Sequence, residues 1–101
     1  MRIITLKRLT EAATRYPVVR PKIEFWYSTA RPATWANFAQ TRTALRHADQ
    51  VAVKSGNIVT VFNLGNAFRL ITAIHYNRKC IYILKILTHA DYDKDAWKDT
   101  L

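Results

Sequence analysis

Three β-rich runs, NIVTVFNL (57–64), AFRLITAIHY (67–76) and KCIYILKIL (79–87), follow one another almost without interruption. Val, Ile, Phe, Tyr and Thr suit a pleated, half-buried surface, and the breaks are Gly65-Asn66 and Asn77-Arg78, pairs fit for two-residue hairpin loops. Strands joined this tightly must run antiparallel. The second half of the chain therefore reads as a three-stranded meander, and the first half has to supply what covers it.

That half carries helical spacing. RIITL (2–6) reads as a short strand ended by Lys7-Arg8. Thr10 then suits an N-cap, with Glu11 in the first turn of a helix running to about Tyr16 and stopped by Pro17. Pro21 suits the start of a second helix, along which Ile23, Trp26, Tyr27 and Ala30 share a side before Pro32 ends it. Thr34 would cap a third helix over Trp35 to Leu45. Residues 47–57, with a Ser-Gly turn signal, read as a connector. The expected class is α+β: an N-terminal strand and helices packed on a curved antiparallel sheet, then a short C-terminal helix, in one domain over 1–101.

Charge narrows the partners. The chain has 16 Lys+Arg against 7 Asp+Glu, a net charge of +9. A field of that sign and size favours polyanions, nucleic acid first. Its basic part is residues 1–56, whereas Asp91, Asp93, Asp95 and Asp99 crowd into the last eleven residues. A lone cysteine, Cys80, offers neither a disulfide nor a thiolate zinc site, and no apolar run approaches the length of a membrane span. MRIITLKRL lacks the apolar stretch and cleavage site of a signal peptide, so a soluble cytoplasmic protein is expected.

Chemistry concentrates at the end of the meander, in LTHADYDKDAW (87–97). Thr88 and Asp91 have the spacing of a capping box, which would make His89 the first residue of a helix. The positive end of the helix dipole works against a further positive charge there, so a neutral ring can serve as general base and return the proton as acid. Tyr92 lies one turn on, close enough to share a face with His89. On spacing alone, the commoner outcome of such a pattern is a plain cap with a solvated histidine, and with Tyr92 and Trp97 packed on the sheet.

Arg69 and Lys85 are single cations within apolar strands. They either face solvent or grip a phosphate, for which the planar guanidinium is well shaped. Arg69, Ile71, Ala73 and His75 share one strand face, as do Ile83, Lys85 and Leu87. Whether the two faces coincide depends on the hairpin: a two-residue loop puts Arg69 and Lys85 on opposite faces, a three-residue loop on the same one. The sequence leaves this register open. His47 and Asp49 could form a metal pair with His89, but scattered histidines are more often solvated. Trp26, Tyr27 and Trp35 could stack on RNA within the basic half, although their helical spacing suits a core better.

Taken with its order of elements, the strings VFNLGNAFRLITAIHY and YILKILTHADYDKDAW make the chain resemble the HigB toxins of type II toxin–antitoxin modules, within the RelE-like mRNA interferases. The resemblance implies helices on one sheet face and a basic, concave face that accepts mRNA on the ribosome. It implies cleavage without metal or cofactor, by attack of the RNA's own 2′-OH. Carried over by position, Arg69 becomes a phosphate clamp, His89 the acid/base, and Tyr92 a stacking or proton-transfer partner. Asn66, Lys85 and Asp91 become weaker, RNA-binding candidates for positioning, and Lys54, in the basic half, is also expected to bind RNA. A HigA-like helix-turn-helix antitoxin is implied as partner, with operator DNA reached only through it. The alternative is a non-catalytic basic module that binds RNA or the ribosome.

Overall fold

The computed structural model describes residues 1–101. Five strands form one sheet in the order β1-β5-β4-β3-β2. They are β1 (Arg2–Ile4), β2 (Asp49–Ala52), β3 (Ile58–Leu64), β4 (Phe68–His75) and β5 (Cys80–Thr88), with helices α1 (Lys7–Arg15), α2 (Arg20–Ala30), α3 (Phe38–Ala44) and α4 (His89–Asp93). The meander expected from residues 57–87 is β3, β4 and β5, paired antiparallel. The sheet as a whole is mixed, because β1 lies parallel to β5 with Arg2 opposite Cys80 and Ile4 opposite Tyr82. Parallel neighbours need a long crossover, and here residues 5–79, with three helices and the other three strands, lie between the two.

The helical half differs in its boundaries. Lys7 and Arg8 do not end the first strand; they open α1, and Thr10 lies inside that helix rather than capping it. The stripe that has to reach the core, Leu9 and Ala13, decides this start. In α2, Ile23, Trp26 and Ala30 are buried along one side, with Pro21 in the first turn as expected. The third helix is shorter than its spacing suggests. Asn37, not Thr34, caps it by accepting the Gln40 N–H at 3.0 Å, while Gln40 Oε1 accepts the Ala36 N–H at 2.8 Å. Trp35 thus precedes the helix and is buried with Trp26, so neither indole is free to stack on RNA; Tyr27 is half-buried against the same core.

Part of the connector is a strand. β2 pairs along β3 with Val51 opposite Val59, which occupies backbone groups that β3 would otherwise leave unpaired. Both hairpin loops are longer than two residues. Gly65–Ala67 separates the paired Leu64 and Phe68, and Tyr76–Lys79 separates His75 and Cys80, with Lys79 in the left-handed region (φ 55°).

The sheet has apolar residues on both faces. Against the helices lie Phe62, Leu70, Ile81 and Ile83, together with Leu9, Ile23 and Trp26. On the other face Val53, Val59, Val61 and Ile71 form a smaller core closed by Trp97. The chain reaches this face by reversing at Asp95 (φ 61°) into a last helical turn, Ala96–Thr100. The basic open face implied by the resemblance is therefore partly covered by the chain's own end.

Candidate functional site

Three segments meet at one end of the sheet: the β3–β4 turn, the start of β4, and the junction of β5 with α4. At that junction Thr88 is extended and its hydroxyl accepts the Asp91 N–H at 3.2 Å, as the capping pattern predicts. The reciprocal half of the box does not form, since the Asp91 carboxylate faces Lys94 at 3.7 Å. His89 is the first residue of α4, and its backbone N–H donates to the Ala67 carbonyl at 2.8 Å, tying the helix start to the β3–β4 turn.

The His89 side chain is half exposed, and its Nδ1 lies 2.8 Å from Asp93 Oδ2. A carboxylate can only accept, so Nδ1 carries the proton of that bond and Nε2 faces away, free to exchange one. Asp93 was not singled out in the sequence, yet its place four residues after His89 on one helix face is a readable signal.

Arg69 reaches the same corner from β4. Its Nη1 donates to the carbonyls of Gly65 (3.2 Å), Asn66 (3.2 Å) and Phe68 (2.9 Å). Gly65, at φ 69°, has the left-handed conformation that bends these carbonyls around the guanidinium. No protein acceptor takes Nε or Nη2, the edge with which arginine grips an oxyanion in bidentate fashion. The guanidinium also lies over the Tyr92 ring, 6.0 Å from its centre. Tyr92 in turn stacks on Trp97 (centroids 5.3 Å, planes 19° apart), whose indole N–H donates to the Tyr92 carbonyl at 3.0 Å. Burial first, then the nearby Asp49 carboxylate, pushes the Tyr92 hydroxyl above the usual tyrosine range, against the opposing pull of Lys98 and Arg69.

The register left open by the sequence is set by a β-bulge. Near the hairpin Thr72 faces Ile83, but one step on Ile71 faces Lys85, and Leu84 is the extra residue. Without it Lys85 would turn toward the helices; with it, Lys85 shares the face of Arg69, which lies opposite Leu87. Arg8 of α1 donates through Nη1 to the carbonyls of Ile83 (3.2 Å) and Leu84, groups that the irregular ladder exposes.

The other expected site residues are less closely grouped. Asn66 is exposed in the turn, its carbonyl holding Arg69. Asp91 lies on the α1 side of α4, lining a groove with Arg8 and Arg15. Lys54 is in the β2–β3 turn, at the far end of seven-residue β3 from Gly65, roughly 20 Å away along the strand. No three His, Cys, Asp or Glu converge as a metal ion requires, so His47, Asp49 and His89 do not form a cation site.

The family model for HigB toxins, described as the RelE-like toxic component of a toxin–antitoxin system, matches residues 19–95. The chain belongs to this HigB toxin family. As a toxin of such a system it implies an antitoxin partner. A search of curated proteins gave no match. The matched span includes Arg69, His89, Tyr92 and Asp93 and leaves out β1, α1 and Trp97. No helix is long and apolar enough to cross a membrane.

Proposed function

We propose that this HigB toxin is a cytoplasmic, ribosome-dependent endoribonuclease that cleaves translated mRNA without a metal or cofactor. The RNA's 2′-OH would attack the adjacent phosphorus, the P–O5′ bond would break, and the products would carry a 2′,3′-cyclic phosphate and a 5′-OH. The observation that carries this reading is the pairing of the free Nε/Nη2 edge of Arg69 with the Asp93-oriented imidazole of His89 across the Ala67 hydrogen bond.

In this scheme His89 Nε2 takes the 2′-OH proton, and Arg69 neutralises the charge that builds on the phosphorane oxygens. Tyr92 already stacks on Trp97, so its hydroxyl is the part assigned a role. With an ordinary value of 10.0 that hydroxyl is protonated at neutral pH without any shift, so it holds the proton to donate to the departing 5′-oxygen. His89 then returns its proton to Tyr92 through water. Lys85, on the Arg69 face, and Asn66, in the adjoining turn, are positioned to bind flanking RNA, with Asp91 a more peripheral contact. Lys54, at the far end of β3, would be a remote contact with the strand or the ribosome. The partner is proposed to be a HigA-like helix-turn-helix antitoxin, through which alone the toxin meets operator DNA.

Induced expression should arrest growth and create new 5′ ends in translated mRNA, read by primer extension. His89→Ala and Arg69→Ala should remove both effects while the proteins stay folded. General acid–base groups contribute about 10²–10⁴-fold, so the loss should be plain. If both variants stay fully toxic, the site is misassigned. The charge of +9 alone would also support a non-catalytic module that stalls ribosomes by binding RNA. That module would arrest growth without new 5′ ends.

A further inference from the structure

On the other side of the β3–β4 turn, between α2 and the loop that leads into β2, lies a cleft of about 420 Å³. β2 begins to pair with β3 only at Asp49 and Val61, so from Phe62 onward the edge of β3 away from β4 is bordered by residues 44–48 and not by a strand. Lys22, Arg46 and His47 stand at the cleft, and no Asp or Glu lines it. Phe25 is also part of the wall and is 65 % exposed, an aromatic face that no protein group covers. Trp26 forms another part, and it is only 2 % exposed, yet its Nε1–H has no acceptor. Buried donors are nearly always satisfied; this one is sealed within the wall beside Phe62, 5.5 Å away edge-to-face, so an acceptor in the cleft reaches it only if the wall gives way.

The cleft shares Gly65 and Asn66 with the turn whose carbonyls hold Arg69, so the two sites are separated only by that turn. We propose that the cleft is a nucleotide subsite that holds a residue of the RNA strand flanking the cleaved step. Its base lies against Phe25 and, once the wall gives way, offers an edge acceptor to Trp26 Nε1–H, and its phosphate is held by Lys22 and Arg46. The combination fits a nucleotide: an aromatic wall for a base, a buried donor for its edge, side-chain amides of Asn63 and Asn66, and cations for the backbone. This rests on the reading of the protein as an RNA-cutting toxin, and it assigns that RNA a second point of contact.

The test uses the full chain with a six-nucleotide 2′-O-methyl RNA, which cannot be cleaved, and follows the indole N–H signals of Trp26 and Trp97 by NMR. Trp97 reports the Arg69–His89 corner, and Trp26 the cleft; Trp26→Phe and Trp97→Phe assign the two signals among the chain's three indoles. The expected result is that both signals move with the RNA. In Phe25→Ala, and in the double variant Lys22→Ala with Arg46→Ala, the Trp26 response should be lost and overall affinity should fall about tenfold or more, while the Trp97 response remains at higher RNA concentration. Phe25, Lys22 and Arg46 are exposed, so the fold should tolerate these changes. Movement of Trp97 alone would overturn the subsite and leave the cutting site standing. Silence of both signals would overturn the subsite together with RNA binding at the corner. A Trp26 response to a polyglutamate peptide but not to RNA would overturn it in favour of an acidic protein ligand.

Discussion

On one face of the sheet, fifteen buried residues drawn from helices and strands form the main core; on the other face five do, and one of the five is Trp97. The first face is closed by α1, α2 and the segments around α3, which interlock with one another. The second is closed by a single descending segment, 92–101, held by the Trp97 indole, by the Lys54 N–H to the Lys98 carbonyl (3.1 Å), and by Ser55 Oγ to the Leu101 carbonyl (2.7 Å). The candidate site belongs to the weaker side. Tyr92 stacks on Trp97, and α4 starts only where the chain leaves β5 to cross that face. Stability and site geometry should therefore respond differently to changes on the two faces.

The largest loss of stability is expected from Leu70→Ala, on the helix face and fully buried. It should cost about 2–5 kcal/mol in urea denaturation, the range for a buried leucine. Trp97→Ala should cost less than the about 3–5 kcal/mol of a central aromatic, because the opening is confined to the terminal segment. It should nevertheless reduce cleavage strongly by freeing Tyr92. If Trp97→Ala unfolds the protein as fully as Leu70→Ala does, the two faces form one cooperative unit and the contrast fails.

The next effect is smaller. Thr88→Ala removes the hydroxyl that accepts the Asp91 N–H, which should cost about 1 kcal/mol and let His89 wander. Circular dichroism melts with a parallel cleavage assay check this; unchanged cleavage would show that the cap does not position the imidazole.

Much of this corner was legible in the sequence, and the reasons differ from part to part. The meander and the Thr88 cap are local: alternation and a three-residue spacing specify them, and the structure has both. The common face of Arg69 and Lys85 was not legible, because the four-residue hairpin loop keeps the pairing that would put them on opposite faces, and only the bulge at Leu84, braced by Arg8 from a distant helix, shifts it by one. The same holds for β1, whose parallel pairing with β5 is a contact between chain ends, and for β2, whose polar sequence hides a strand that exists because β3 has an open edge. The starts of α1 and α3 went to the needs of packing and to Asn37 rather than to the nearest threonine.

Asp93 offers a change that should move the site with almost no effect on stability. Its carboxylate is 59 % exposed, and exposed ion pairs contribute little. Asp93→Ala should slow cleavage, by less than the about 10²–10⁴-fold of losing the acid–base group itself, while the melting midpoint stays put. Asp93→Asn, whose amide oxygen still accepts from Nδ1, should retain more activity. Equal activity in all three proteins would mean that the orientation of His89 does not matter.

The smallest effect is at alkaline pH. Burial pushes the Tyr92 hydroxyl above its ordinary value of 10.0, so folding favours the protonated form. The stability linked to this group is whole below the unfolded-state value and is lost as pH rises through the folded one. Tyr92→Phe should thus lessen the decline in melting midpoint above pH 10.0, the ordinary value, with Tyr76, shifted the same way by burial, accounting for part of the remainder. An unchanged alkaline profile would place the Tyr92 hydroxyl in water and weaken its assignment as proton donor.

Cutting through the strand's own 2′-OH is tested most directly on translating ribosomes programmed with two mRNAs that differ by a single atom. One is all-ribose; the other carries a 2′-deoxy sugar at the nucleotide just 5′ of the mapped cut. The expected result is a new 5′ end on the first mRNA with the wild-type toxin, none at the deoxy position of the second, and none on either with His89→Ala. Continued cutting at the deoxy position would contradict attack by the 2′-OH and, with it, the roles given to His89 and Arg69.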